Sequence, residues 1–188
     1  KILKKNNIRF DIAYTSLLRR AIKTLWIVLD EINQVWIPVN KCWKLNERHY
    51  GHLTGLNKLE MEKKFGSHEV RKWRKSYDYL PKPINNKSNQ WSGYDERYDF
   101  LSSNELPLGE SLKDTLVRVS QFWNDHIIND LNEKKKIIIS AHGNSLRALL
   151  MFLEDISSEE IEKLDIPRAV PIVINFDSNF KFLSRNFL

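Results

Sequence analysis

Three groups of residues have the types and spacing needed for chemistry on an anion. Arg20 follows Tyr14-Thr15-Ser16 at what reads as a strand-to-helix junction, and His142-Gly143-Asn144 follows the apolar run Ile137 to Ala141. An arginine fork matches phosphate geometry. Gly143 lets backbone N–H groups approach a ligand, and a helix starting near Ser145 aims its positive end at the same place. The third group, Asn46-Glu47-Arg48-His49-Tyr50-Gly51, puts an acid, a guanidinium, an imidazole and a phenol in consecutive positions. Glu47, flanked by cations, could exchange a proton with a substrate hydroxyl while Arg48 and Tyr50 hold an anionic substrate. Lys58, Arg74 and Lys75 extend the basic surface. Taken singly, His142 is equally a satisfied strand-end histidine, Arg20 a solvated charge beside Arg19, and residues 46–51 a charged loop.

The elements that must position these groups are legible in the periodicity. Ile8 to Ala13 alternates apolar and polar residues and predicts a strand; from Leu17 to Ile32 apolar residues recur at helical spacing. Val35 to Leu45, broken by Pro38, reads as an extended segment delivering Asn46 to Gly55 into a loop. Shorter helices are expected over Asn57–Phe65 and His68–Tyr77, a long loop over Pro81–Pro107, and a long helix over Ser111–Leu131. Ile137 to Ala141 has the pattern of a strand buried on both faces of a parallel sheet. Leu146 to Leu153 begins a helix, Ser157 to Glu160 fits a capping box, and Ile172 to Leu188 reads as a hairpin or an edge strand. Strands alternating with helices imply an α/β layered fold with a mainly parallel sheet, and ligands then bind beyond the carboxyl ends of its strands.

Length and composition bound the function. A chain of 188 residues with 41% hydrophobic content fits one domain spanning 1–188. No apolar run is long enough to span a membrane, and no export signal opens the chain, so a cytoplasmic protein without a membrane partner is expected. The single cysteine, Cys42, sits in apolar surroundings without a partner thiol or metal-ligand spacing, so no metal is expected. The net charge of +6 suits an anionic partner. No nucleic-acid-binding motif accompanies it, and nucleic acid is not expected. Phosphate-binding P-loops, dinucleotide fingerprints and Gly-x-Ser-x-Gly elbows are absent from the sequence.

Tyr14-Thr15-Ser16 with Leu18-Arg19-Arg20-Ala21, then Leu45 to Gly51, Glu105-Leu106-Pro107 and Ala141 to Ala148 resemble, in order and spacing, the motif series of cofactor-dependent phosphoglycerate mutases. The resemblance implies a three-layer fold, helices on both faces of the sheet, and an enzyme of glycolysis and gluconeogenesis that interconverts 2- and 3-phosphoglycerate through a phosphohistidine, primed by 2,3-bisphosphoglycerate. It assigns Arg20 and His142 to the transferring phosphoryl group and Glu47 to proton exchange. It assigns Arg48, His49, Tyr50, Lys58, Arg74, Lys75, Gly143 and Asn144, together with Arg20 and Glu47, to substrate binding. It also implies a homodimer or larger homo-oligomer. The family's first strand, ending in the Arg-His-Gly motif that carries the nucleophile, has no counterpart in this sequence. The expected fold therefore lacks its first strand and leaves apolar strand edges open, and these residues alone are expected to bind phosphoglycerates with little turnover. The alternatives are a non-catalytic phosphoglycerate-binding remnant and a phosphatase of the same superfamily. Lys75 stands where relatives carry a second arginine.

Overall fold

The computed structural model describes Lys1 to Leu188 except Asn89 and Ser103. A one-turn helix α1 (Ile2–Lys5) precedes β1 (Ile12–Thr15), α2 (Arg19–Glu31) and a three-residue β2 (Val39–Lys41). Helices α3 (Lys58–Phe65) and α4 (Ser67–Lys75) form a hairpin around Gly66, whose φ of 83° lies in the region open to glycine. After the long loop come α5 (Leu112–Phe122), a π turn over Trp123–Ile127, and α6 (Ile128–Asn132). The chain continues with β3 (Ile137–Ser140), α7 (Gly143–Glu154), α8 (Ser158–Ile161), β4 (Ile172–Phe176) and β5 (Phe182–Phe187).

The strands make a parallel three-stranded sheet in the order β2-β1-β3, and β4 and β5 pair antiparallel as a separate hairpin. Alternation along β1 divides the interior. Ile12 and Tyr14 pack with α5 and α7 through Leu112, Val119, Phe122, Ala148 and Leu149, while Ala13 packs with Leu25, Leu29 and Ile32 of α2. Helices therefore cover both faces, giving an α/β fold with a mainly parallel sheet. Leu25, Phe122 and Leu112 are fully buried, each contributing roughly 1.5–3 kcal/mol of burial. None of the described helices is long and apolar enough to cross a membrane.

Departures from the periodicity have local causes. β1 starts four residues later than the alternation predicts, because the Gln34 amide both accepts from the Phe10 N–H (2.9 Å) and donates to the Phe10 carbonyl (2.7 Å). Phe10 thus has no free backbone group for a ladder. β3 is half-buried along its length rather than enclosed, since β1 is its only recorded ladder partner. α7 begins at Gly143, with His142 as its N-cap; the His142 N–H meets Ser145 Oγ at 3.1 Å, which pulls the start two residues earlier than expected. In place of the expected helix Ser111–Leu131, helical structure runs from Leu112 to Asn132 with the π turn between α5 and α6.

Charge is unevenly placed. Between Asn57 and Ser88 there are nine cations against four carboxylates, a net +5 of the chain's +6. Most of them lie on the α3–α4 hairpin, which buries only Val70. On the opposite side of the sequence order, Trp26, Ile27, Val35 and Trp36 expose 55–71% of their surface.

Candidate active site

The carboxyl ends of β1 and β3 meet where Thr15 Oγ1 donates to the Ser140 carbonyl at 2.9 Å. One step further, Ser16 Oγ and His142 Nε2 lie 2.7 Å apart, and Arg20, in the first turn of α2, donates from Nε to His142 Nδ1 at 3.1 Å. The Arg20 bond fixes the tautomer: a neutral ring that accepts at Nδ1 carries its proton on Nε2, so Nε2 donates to Ser16 Oγ. Burial, reinforced by the Arg20 and Arg118 charges, pushes the His142 pKa down to about 3. Positive charge at this point therefore comes from Arg20, and His142 acts as a neutral donor.

Glu47 sits at the N-terminus of α7, where its Oε1 accepts the Asn144 N–H at 3.2 Å and the Arg48 N–H at 3.0 Å. Asn144 Nδ2 donates to the Tyr50 hydroxyl at 2.8 Å. Arg48 and Arg74 lie over the Tyr50 ring, 4.7 and 5.3 Å from its centroid. Two cationic groups, Arg20 held on His142 and Arg74 held on Tyr50, thus line one cleft with the Glu47 carboxylate.

These residues border a cleft of about 350 Å³. Arg20, Glu47, Arg48, His49, Tyr50, Lys58 and Arg74 contribute to its wall, with Met61, Trp73, Trp91, Tyr98 and Leu108 supplying an apolar side. His142 and Asn144, both buried, lie behind the wall, and Gly143 is the first residue of α7. Lys58 stands at the rim, 3.4 Å from Glu62 one turn on. Arg48 is 2% exposed and spends its guanidinium on the carbonyls of Trp73 and Ser76, tying the loop to the end of α4, with Nε unpaired. Lys75 turns away from the cleft and pairs with Asp165 and the Leu164 carbonyl.

A buried ion pair that periodicity does not reveal holds the loop carrying Glu47. Arg118 donates to Glu110 from Nε (2.7 Å) and Nη2 (2.9 Å), both side chains being at most 5% exposed. Arg118 also donates to the Lys44 carbonyl at 2.5 Å, and Glu110 accepts the His49 N–H at 2.9 Å. Burial alone would raise the Glu110 pKa, but the Arg118 charge and hydrogen bonds, with His49, hold it below the usual carboxylate range. The available signal was Arg118 itself, a charge on the buried face of α5 between Thr115 and Phe122. Gly51 closes the loop at φ 57°, where a Cβ would stand 2.2 Å from the Lys82 carbonyl oxygen. Ser16 and Asn46 also position the site: Asn46 accepts the Leu17 N–H at 3.0 Å and donates to the Tyr98 hydroxyl at 2.8 Å.

Buried His142 and half-buried His49, whose Nε2 is enclosed, set an acid limit. Burial, partly opposed by Glu110, lowers the His49 pKa to about 4, and His142 lies at about 3. An unfolded chain binds these protons at about pH 6.5, so the unfolded state holds more protons throughout the window below it. Stability is thus fully present above about pH 7 and falls as the pH drops, by about 1.4 kcal/mol per pH unit for each histidine until its folded pKa is reached. Urea titrations at pH 7.5, 6 and 5 check this, and stability that is flat between 7.5 and 5 contradicts it.

The model of the histidine phosphatase superfamily (branch 1) matches residues 3–91 and 84–186. A solved mycobacterial glucosyl-3-phosphoglycerate phosphatase, complexed with VO3, is similar with a TM-score of 0.67 and 17% identity, over 99% of this chain and 78% of that one. Bacillus stearothermophilus YhfR gives a TM-score of 0.66 at 18% identity over 96% and 76% of the two chains. The alpha-ribazole phosphatase from Shigella flexneri gives 0.61 at 19% identity over 95% and 74%.

Proposed function

Because the chain belongs to branch 1 of the histidine phosphatase superfamily, we propose that its cleft serves phosphoryl transfer on a small phosphorylated acid, interconverting 2- and 3-phosphoglycerate. The observation that carries this reading is that two cationic groups, Arg20 on His142 and Arg74 on Tyr50, line the same cleft as the Glu47 carboxylate. An ester with a second anionic group uses both, and its free hydroxyl needs a proton acceptor such as Glu47. In that role Arg20 neutralises charge on the transferring group, and His142 steadies Arg20 and Ser16 as a neutral donor. Lys58 and Arg74 hold the far anion.

The residues present also fit 2,3-bisphosphoglycerate, since Arg20 can hold one phosphate and Lys58 with Arg74 the other. When bound, it supplies the phosphoryl group that primes the enzyme. Among the described residues, His142 is the one histidine recorded in contact with Arg20. Both nitrogens of His142 are engaged, His49 Nε2 is buried, His52 bonds the Lys82 carbonyl, His68 is exposed, and His126 packs on Tyr14 and Phe122. Residues 1–188 as they stand are therefore expected to bind phosphoglycerates and turn them over negligibly.

The cleft's apolar side, Met61, Trp73, Trp91 and Leu108, favours a second reading, a phosphatase acting on a bulkier phosphate ester. Association into a homodimer is a further proposal, supported by the exposed patch of Trp26, Ile27, Val35 and Trp36.

Phosphorus NMR on residues 1–188, alone and joined before Lys1 to an Arg-His-Gly strand of the family type, separates the readings. Primer-dependent formation of 2-phosphoglycerate from 3-phosphoglycerate by the joined protein supports the mutase. Phosphate release without isomerisation replaces it with the phosphatase. Conversion by residues 1–188 alone assigns the phosphoryl group to one of the five histidines and overturns the account of them given above.

A further inference from the structure

Arg147 lies on α7, 2% exposed, and none of the roles assigned so far uses it. Its Nη1 donates to Asn144 Oδ1 at 2.9 Å, and its Nη2 donates to the Lys75 carbonyl at 2.9 Å and to the Ile161 carbonyl. A guanidinium carries donors only, so the amide atom of Asn144 that faces it has to be the oxygen. The NH2 of Asn144 is thereby turned to the other side, where it donates to the Tyr50 hydroxyl oxygen at 2.8 Å. Tyr50 accepts on that side, and among the described residues no acceptor is recorded for its own proton. The Tyr50 side chain borders the cleft.

We propose that Arg147 is a positioning residue: it locks the Asn144 amide in the one orientation that leaves the Tyr50 hydroxyl as a donor into the cleft, toward an anionic oxygen of the ligand. The identity of that ligand rests on the function proposed above. Without the Arg147 donor the amide is free to turn, its oxygen then accepts the Tyr50 proton, and the cleft loses a donor. Arg147 thus acts on the ligand two bonds removed, through Asn144 and Tyr50.

The test has one arm that needs no ligand. In the 15N-labelled full chain, the side-chain amide of Asn144, assigned by its disappearance in Asn144→Asp, is followed by proton exchange. The amide proton on Tyr50 is expected to exchange about 10-fold faster in Arg147→Met and in Tyr50→Phe, while Arg147→Lys, also a pure donor, retains most of the protection. A merely structural arginine predicts otherwise: Lys and Met would lower Tm and protection in parallel. The second arm measures 3-phosphoglycerate binding by calorimetry. Arg147→Met and Tyr50→Phe are each expected to weaken it about 10-fold, and the double variant no further than either one. Should Arg147→Met fail to fold, Asn144→Asp replaces it in this arm, because two acceptor oxygens draw the Tyr50 proton away; added to Tyr50→Phe, it then weakens binding less than it does alone. Unchanged amide protection in the Arg147 variants, or losses that simply add, overturn the proposal. No binding of 3-phosphoglycerate by the unaltered chain overturns the ligand instead, and the exchange arm still decides Arg147.

Discussion

Replacing Arg118 by methionine is expected to destabilise the fold by about 3–5 kcal/mol, because Glu110 then remains buried without its partner. The loss exceeds that of an ordinary core truncation since three acceptors lose their Arg118 donors together: the Glu110 carboxylate, left with the His49 N–H alone, and the carbonyls of Lys44 and Glu47. Removing both charges should be gentler. In the double variant Glu110→Leu with Arg118→Met, part of the loss is expected to return, as no unpaired charge is left inside. Urea midpoints at constant slope read both effects. A loss under about 1 kcal/mol for Arg118→Met would place the pair with surface bridges of small effect and contradict its role in holding residues 44–49.

Glu47→Gln should leave the fold intact and remove the chemistry. The glutamine amide oxygen can still accept the Asn144 and Arg48 N–H groups that Glu47 Oε1 now accepts, so the loop geometry has no reason to change. What is lost is the group able to take up a substrate proton. In a protein active by the phosphorus NMR assay, kcat is expected to fall by about 10²–10⁴-fold with KM changed little, which is the size of a missing general acid or base. A fall in affinity with kcat preserved would instead make Glu47 a binding residue and return proton exchange to another group or to water.

The comparison between sequence and structure divides along local and non-local lines. Helices α2, α5 and α7 were legible because their apolar residues repeat on one face, and the strand before His142 because of its isoleucine run. The start of β1 was not, since it is set by Gln34, more than twenty residues away in the chain. Of the candidate site, Arg20 meets His142, and Glu47, Asn144, Tyr50 and Arg74 form a second linked group. Arg48 and Lys75 show what composition cannot tell: two cations of the candidate site end on the carbonyls of Trp73 and Ser76 and on Asp165. Glu110 and Arg118 were hidden for the same reason. Their partners lie 61 and 74 residues upstream, and the one local sign is the charge of Arg118 on the buried face of α5.

The uneven charge of the α3–α4 hairpin bears on how a ligand arrives as well as on how it stays. A helical pair that carries most of the molecule's net positive charge, and borders the cleft through Lys58 and Arg74, gives an incoming polyanion a direction of approach. On the function proposed above, capture begins at the rim, at a rate governed by the ionic atmosphere, and ends at Arg20, itself exposed and held by the buried His142. Arrival is thus spread over all the cations of the hairpin, whereas retention needs only Lys58 and Arg74 among them, so the others can drift in evolution while those two are kept.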